Sequence, residues 1–543
     1  MGDITHNLVS RSPDPQPPSA PVGPNSDGQE LTRPNRSLRL SAWALAALAL
    51  GLAYGQSPLF SSNQNQFFLH GAARAGIGFL AQDWLANTAD PTPAFTWLVE
   101  WTYRLLPPAA FHLEYLLLIG VYLAGLWLLA DTAFGLHTSV RRTLLFLVIV
   151  VVLHSAALRL IQGRLLGETW QYLWDGGVAG QRLLGPVLQP STFGVFLLLS
   201  LGLFVRGRAA WSVVAAALAA AVHPTYLLPA GILVLAYCLV LWREGRSPRH
   251  PLMLGVFALA LVTPIVLYVI LALGPTSPDR MAHAQQILVH VRVPHHALPD
   301  VWFDATVVVK LTLLALAVVA ARGTRLAWVL AFAAAAGLAL TAAQIVTGSD
   351  LLALLFPWRI STVLVPASVG VLSAWIAHRG VGGAHPGHAG WERIVPIASA
   401  AIIVLLAAAG VAGFVLQDGE RSLDPAAEMM RFVREQARPG DTYLIPAGLQ
   451  EFRLATGAPA LVDFKSIPYL DVDVLEWSER LRLVDWFYRE HPADVDCALL
   501  DELARRYGVT HAVLDEDLLD LACPQSREVY RDSHYAVHAL ARP

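Results

Sequence analysis

From residue 40 to residue 416 the chain alternates apolar runs with short polar connections. The runs fall near 40–57, 112–131, 143–160, 190–205, 209–223, 226–242, 252–273, 305–321, 326–346, 358–377 and 394–416. Each is close to the ~17–25 apolar residues that a helix needs to cross the hydrocarbon of a bilayer. The pattern predicts about eleven transmembrane helices. Residues 1–37 are rich in Pro, Ser, Asn and Asp with few large apolar side chains, so they are expected to form a disordered cytoplasmic tail. No small-residue cleavage site follows the first span, which is expected to stay as an anchor.

From Ala426 the pattern changes. Helix-like runs such as AAEMMRFVREQA and DVLEWSERLRLVDWFYRE alternate with short strand-like runs, TYLIPA, ALVDF and THAVLD. That alternation predicts a small α/β domain with a largely parallel sheet. No Gly-rich phosphate loop opens any of its helices. The organisation read from the sequence is therefore a tail at 1–37, a transmembrane domain at 38–416 and an α/β domain at 417–543. The expected fold class is mainly α, a polytopic helical membrane protein with a C-terminal extracytoplasmic α/β domain.

Composition agrees with the membrane class. The 543 residues are 55% hydrophobic and 15% charged, with mean hydropathy +0.50, more apolar surface than one soluble core can bury. A net charge of −3 gives no reason to expect nucleic acid. Arginines mark the connections of one parity: Arg33, Arg36 and Arg39, then Arg141 and Arg142, Arg206 and Arg208, Arg243, Arg246 and Arg249, Arg322 and Arg325, Arg379 and Arg393. By the positive-inside rule those connections are cytoplasmic. The segments 58–111, 161–189, 274–304 and 347–357 and the C-terminal region are then external. Cys497 and Cys523 would lie in an oxidising compartment, where they either pair or stay as two thiols, and Cys238 inside a span is read as packing.

The candidate chemistry lies in the external segments. Residues 63–106 read as an amphipathic loop that lies on the membrane and presents an acid to it, with His70, Arg74, Asp83 and Asp90 among aromatics. Asp83 follows apolar positions Phe68, Ala72, Ala75 and Phe79 at helical spacing and precedes Trp84. It is the expected catalytic general base; the alternative is a cap for the following turn. Asp90, before Pro91 and Pro93, reads as a turn former. The Gly-rich stretch 159–191 offers Arg159, Arg164, Glu168, Asp175 and Arg182 around Trp170, Tyr172 and Trp174. Irregular backbone at membrane depth points to a functional cavity, or the aromatics are an interfacial belt and the charges pair among themselves.

The third segment carries His283, His290, Arg292, His295, His296, Asp300 and Asp304, and the only lysines of the chain are Lys310 and Lys465. Adjacent histidines diverge on any regular backbone, so no metal site is expected and a divalent ion is not supported by ligand spacing. Contact with a sugar or phosphate is the preferred role for His295 and His296, against solvated loop histidines. Lys310, just inside a span, must face a cavity or snorkel. Arg359, in Phe356-Pro357-Trp358-Arg359-Ile360-Ser361, is placed to fork onto a lipid phosphate. His223, in His223-Pro224-Thr225-Tyr226, breaks a helix pair at the same face. Lys465 would reach the membrane cavity from the soluble domain or pair with Asp463.

Taken together, the predicted spans, a first external loop ending in an acid, an arginine near a late span and an external C-terminal domain resemble the GT-C superfamily of membrane glycosyltransferases. The strings FLHGAARAGIGFLAQDWLANT, HPTYL, RVPHHALP, FPWRIS and FRLATGAPALVDFKSIPY are similar to those of a little-characterised bacterial branch, over most of residues 40–520. The resemblance implies a GT-C-like domain in a bacterial inner membrane. It implies sugar transfer, with inversion, from a polyprenyl-phosphate-linked donor to a glycan, lipid or protein acceptor in the envelope. Asp83 stands where the superfamily has its first-loop acid, and Arg359 where it has a donor-phosphate contact. The adjacent Asp-Glu pair and paired metal-binding acids of some branches are missing. Other classes remain open: a transporter or flippase for a lipid-linked or anionic substrate, which would be expected to show an internal repeat and mid-span ionisable residues, and a non-catalytic assembly component.

Overall fold

The computed structural model describes residues 36–382, 389–489 and 493–541. Most of the expected tail thus lies outside the described residues. The fold is predominantly helical, with sheet confined to the C-terminal region. Among the described residues six helices are long and apolar enough to cross a membrane: Ala110–Phe134, Pro224–Arg243, Arg249–Ala272, Arg325–Thr347, Asp350–Gly380 and Pro396–Ser422. The pair Val140–His154 and Ala156–Leu166, bent by 47°, makes a seventh. Ser155 is the break: its hydroxyl caps the second helix by accepting from the Leu158 N–H at 3.2 Å.

Four shorter apolar helices, Ser41–Tyr54, Pro190–Val205, Ala209–Val222 and Ala305–Ala320, occupy the remaining expected spans. At 1.5 Å per residue the 14-residue Ala209–Val222 helix covers only about 21 Å of a ~30 Å hydrocarbon layer, whereas the first helix runs back to Arg36 and has 19 residues. Small residues let the helices approach. A Cβ on Gly125 would lie 2.9 Å from Leu198, and one on Gly202 2.8 Å from Leu128, the close packing that substitutes for a hydrophobic driving force in lipid.

The two ends of the bundle differ in character. At one end the arginine-bearing connections meet: Arg206 pairs with Asp131, Arg325 forks onto Glu244 at 2.6 Å, and the Arg243 guanidinium lies 3.8 Å from the Trp328 ring centre. At the other end the segments 58–111, 161–189, 274–304 and 347–357 converge with the C-terminal region. Ser57 N–H donates to Pro186 O at 2.7 Å, Tyr268 Oη to Asp90 O at 2.7 Å, and Asp471 accepts from Thr276 N–H at 2.8 Å.

The C-terminal sheet departs from expectation. It has four strands, β1 Tyr443–Leu444, β2 His511–Leu514, β3 Ser526–Arg531 and β4 Ala536–Leu540, in the order β1-β2-β4-β3. Only β1 and β2 run parallel, and the β2–β4 and β3–β4 pairs are antiparallel. The expected largely parallel sheet is corrected on this point. The hairpin β3–β4 was not legible because β3 faces solvent with Arg527, Glu528 and Arg531 and carries no apolar alternation. Cys497 and Cys523 are bridged, tying the Ala493–Tyr507 helix to the segment before β3.

Candidate functional site

The loop Asp175–Arg182 is the hub of the site. Gly177 N–H donates to Gln181 O at 2.8 Å and Gly176 bridges Arg182, which closes the loop on itself. Its backbone then meets side chains from three other elements, and its Gln181 side chain meets a fourth. Lys310 Nζ donates to Gly177 O at 2.7 Å, His296 Nδ1 to Ala179 O at 2.6 Å, and Ser361 Oγ accepts from Val178 N–H at 2.9 Å. Arg359 Nε donates to Gln181 Oε1 at 2.6 Å. A Cβ at Gly177 would lie 2.5 Å from Ser361 Oγ, so only glycine lets the loop seat on the start of the Ser361–Gly382 helix. Ala179 and Phe356, both non-glycine, hold positive φ of 57° and 49°. That strain falls on the loop and beside Arg359, where a site can pay for it.

Arg359 is held by neutral partners. Besides Gln181 it donates to Thr225 Oγ1 and to His223 Nε2 at 3.1 Å, and its guanidinium lies 4.9 Å from the Phe356 ring centre. Since a guanidinium has no lone pair to offer, His223 must accept through Nε2 and carry its proton on Nδ1. That Nδ1 is buried with no partner, as are Gln181 Nε2, Arg292 Nε and both amide atoms of Asn65. Arg292 donates to Lys465 O at 2.7 Å and packs its guanidinium 5.1 Å from the Phe464 ring centre. Arg182 stacks on Tyr172 at 3.9 Å. Tyr469, whose hydroxyl accepts from Gln66 Nε2 at 2.8 Å, lies close to Arg292 and Arg359.

Five cations therefore gather here: Arg182, Arg292, Lys310, Arg359 and Lys465. None makes an ion pair among the described residues. Their mutual repulsion registers on the titratable groups outside the spans. Burial lowers Lys465 to about 8, with Arg292 and Arg182 adding to it. Burial, with His295 beside it, lowers His296 to about 3, and His295 is lowered by burial, Arg292 and Lys465. Both imidazoles are neutral at physiological pH and serve as hydrogen-bonding groups. A concentration of buried or half-buried positive charge without direct ion pairs costs several kcal/mol per ion, and a group that would relieve it is an anion with several oxygens.

Of the residues singled out in the sequence, Asp175, Arg182, His223, Arg292, His295, His296, Lys310, Arg359 and Lys465 come together. His70, Arg74, Asp83, Arg164 and Glu168 do not. Asp83 is corrected: it is fully buried, and both oxygens are spent. Oδ1 accepts from Leu85 N–H at 2.9 Å and Ala86 N–H at 3.4 Å, while Oδ2 accepts from Arg453 Nε at 2.7 Å and Ala460 N–H at 2.9 Å. Four donors fill a carboxylate, so no lone pair is left for an acceptor substrate, and the capping alternative describes it better. The first loop does carry an apolar face, with Trp97, Trp101 and Leu105 exposed on the Pro93–Leu105 helix, but it turns its acid inward. The expected helical run through Phe79 breaks into Gln64–Phe67 and Leu69–Arg74.

His70 is buried against Thr88 O at 3.3 Å, and half-exposed Arg74 pairs with Asp90 at 3.2 Å. Asp90 also accepts from Thr92 N–H at 2.9 Å, as a turn former does. Arg164 and Glu168 are exposed at the end of the Ala156–Leu166 helix and in the turn after it. Lys465 does not pair with Asp463, which instead takes Arg453 and, at 2.7 Å, Ser466 N–H. Sequence reasoning missed Gln181, Thr225, Asn65, Tyr469 and the site role of Arg292, because neutral partners leave no charge or spacing signal. It also missed Arg453, the buried guanidinium that joins Asp83 to Asp463.

No group of three or more His, Cys, Asp or Glu suited to a metal occurs among the described residues. Two cavities lie elsewhere. One of about 470 Å³ sits at the arginine-bearing end among Arg246, His250 and Arg325, and one of about 600 Å³ is walled by Leu45, Leu52, Val404 and Val411. Neither is lined by a residue of the cation cluster.

A protein-family model described as a domain of unknown function (DUF6798) matches residues 425–484, which include Arg453, Asp463 and Lys465. No curated protein matches the chain. Among solved structures the chain is similar to crystal structures of ArnT from Cupriavidus metallidurans. For the apo state the identity is 16% and the TM-score 0.47, and for the form bound to undecaprenyl phosphate they are 14% and 0.45. Each similarity covers 93% of this chain and 99% of the other. ArnT is a GT-C family membrane glycosyltransferase; at these identities and TM-scores the likeness assigns no role to any residue here.

Proposed function

We propose that this chain is an integral membrane glycosyltransferase that grips a polyprenyl-phosphate-linked sugar by its phosphate and transfers the sugar to an envelope acceptor. The observation that carries the reading is the cluster of Arg182, Arg292, Lys310, Arg359 and Lys465, free of ion pairs and set where the bundle meets the C-terminal region. A phosphate ester is a leaving group whose charge grows as its bond to the sugar breaks, and fixed cations stabilise that charge most where water is excluded. Arg359 stands at the membrane end of the cluster and Lys465 comes from the C-terminal region, so a lipid phosphate and its sugar would lie between them. The sequence resemblance to the GT-C superfamily supports the same chemistry.

The arginine-bearing end is read as cytoplasmic. The Cys497–Cys523 bridge belongs to an oxidising compartment, which supports an outward-facing site and C-terminal region. The test is sugar transfer in membranes from a panel of radiolabelled polyprenyl-phosphate sugars, comparing wild type with Arg359→Gln at matched expression. Transfer by the wild type that drops at least a hundredfold in the variant is expected. Donor binding by the wild type with no transfer from any donor would move the chain to the transport or assembly class.

A further inference from the structure

With Asp83 spent, sugar transfer lacks a base, and the site supplies another carboxylate. We infer that Asp175, at the foot of the hub loop, is the catalytic base that takes the proton from the acceptor. The inference rests on the glycosyltransferase reading. Asp175 is the residue before the Gly176–Arg182 bridge, so the loop that organises the cations also fixes this acid beside them. Its Oδ2 accepts one hydrogen bond, from Tyr54 Oη at 2.9 Å, and among the described residues Oδ1 accepts none. One oxygen of Asp175 is thus uncommitted, whereas both oxygens of Asp83 are taken by four donors.

Two cations flank Asp175 without touching it. Lys310 donates to Gly177 O instead, and Arg159 donates to His154 O at 2.9 Å and to Tyr54 O. Both sense the Asp175 charge, yet neither pairs with it. A counter-ion whose only task was to neutralise them would be drawn into contact. Because both cations spend their donors on backbone carbonyls, Asp175 Oδ1 stays open to a substrate, which is what a base needs. Asp304, the other acid near Lys310, is different: its Oδ1 is committed to Thr306 N–H, Thr306 Oγ1 and Val307 N–H as the cap of the Ala305–Ala320 helix.

The step balances. The acceptor oxygen forms a bond to the anomeric carbon, and the bond from that carbon to the phosphate oxygen breaks. Its electron pair leaves on the polyprenyl phosphate against Arg359 and its neighbours, and the acceptor proton passes to Asp175 Oδ1.

The test uses the full chain in membranes with a labelled polyprenyl-phosphate sugar, reading transfer and equilibrium donor binding separately. Asp175→Asn is expected to lower the transfer rate by about 10²–10⁴-fold with donor binding within about threefold of wild type, while Asp304→Asn keeps transfer. If Asp175→Asn does not fold, Tyr54→Phe reads the same inference. Losing the one hydrogen bond that orients the carboxylate should lower the transfer rate by about tenfold with donor binding unchanged, a split that a merely structural role would not give. Asp175→Asn transferring within tenfold of wild type, or Tyr54→Phe transferring at the wild-type rate, overturns the inference while leaving the glycosyltransferase reading intact. A wild type that binds donor and transfers nothing overturns both.

Discussion

Replacing Arg453 by Met should disconnect the first loop from the C-terminal region. Arg453 is 2% exposed and bonds Asp83 through Nε and Asp463 through Nη1, while its Nη2 donates to Ala460 O at 2.9 Å. Methionine fills much of the volume and removes the charge, stranding two buried carboxylates. Asp83 keeps three backbone N–H donors, while Asp463 keeps Ser466 and the Lys465 backbone but loses its one charged partner. At pH 7 the cheapest escape for Asp463 is to take up a proton, which for a carboxyl of ordinary pKa near 3.9 costs about 4 kcal/mol. That figure agrees with the ~3–5 kcal/mol measured when one partner of a buried pair is removed, and it is comparable to the whole stability of many domains.

The contact has little slack elsewhere. Phe79 N–H donates to Gly457 O at 2.7 Å, and Gly78, at φ 51°, sits so close that a Cβ would come within 2.4 Å of that oxygen. The assay is thermal unfolding of the purified chain in detergent, with limited proteolysis after residue 423 as a local readout. Arg453→Met should melt early and be cut there, and Arg453→Lys, which keeps the charge but not the fork, should fall between. Acid should rescue the Met variant. Its stranded carboxyls bind protons more tightly folded than unfolded, so its stability rises as pH falls from 7 towards 5. A Met variant that melts with the wild type and resists protease refutes the claim that this guanidinium locks the interface. It would also reopen Asp83 as a catalytic group.

Two further outcomes follow from the geometry. Lys465, lowered to about 8 by burial and by Arg292 and Arg182, holds its charge below that pH and loses it above, so polyprenyl-phosphate binding should weaken as pH rises through about 8. Lys465→Arg should flatten that fall, and Lys465→Met should weaken binding roughly tenfold at pH 7, read by equilibrium binding of labelled lipid phosphate. Opening the Cys497–Cys523 bridge, which closes a loop of sequence separation 26, should cost the C-terminal region roughly 3–4 kcal/mol on a chain-entropy account. Unfolding with and without reductant measures it, and an unchanged melt would show that the bridge constrains nothing.

The apolar helices were legible because hydrocarbon thickness imposes a length on them, and arginine placement sorted their ends for the same reason. The sheet was less legible: β1 is two residues long and β3 is solvent-facing, so neither writes a period into the sequence. At the site, His223, Lys310 and Arg359 were visible as polar residues interrupting or bordering apolar runs. Gln181, Thr225 and Tyr469 were not, since an uncharged residue that holds an arginine looks like any other until the fold brings it there.

The deeper difficulty is that arginine reads alike whether it locks a structure or waits for a ligand. Arg453 is buried and Arg359 part-buried, and each spends its guanidinium on three hydrogen-bond partners. What separates them is the charge of their partners. Arg453 meets two carboxylates, one of them 370 residues away along the chain, and the triad is satisfied without any substrate. Arg359 meets an amide, an imidazole and a hydroxyl, which orient a guanidinium and leave its charge unanswered. The same comparison separates Asp83 from Asp175: the acid with four donors is structural, and the acid with one donor, beside cations that decline to pair with it, is the one left with chemistry to do.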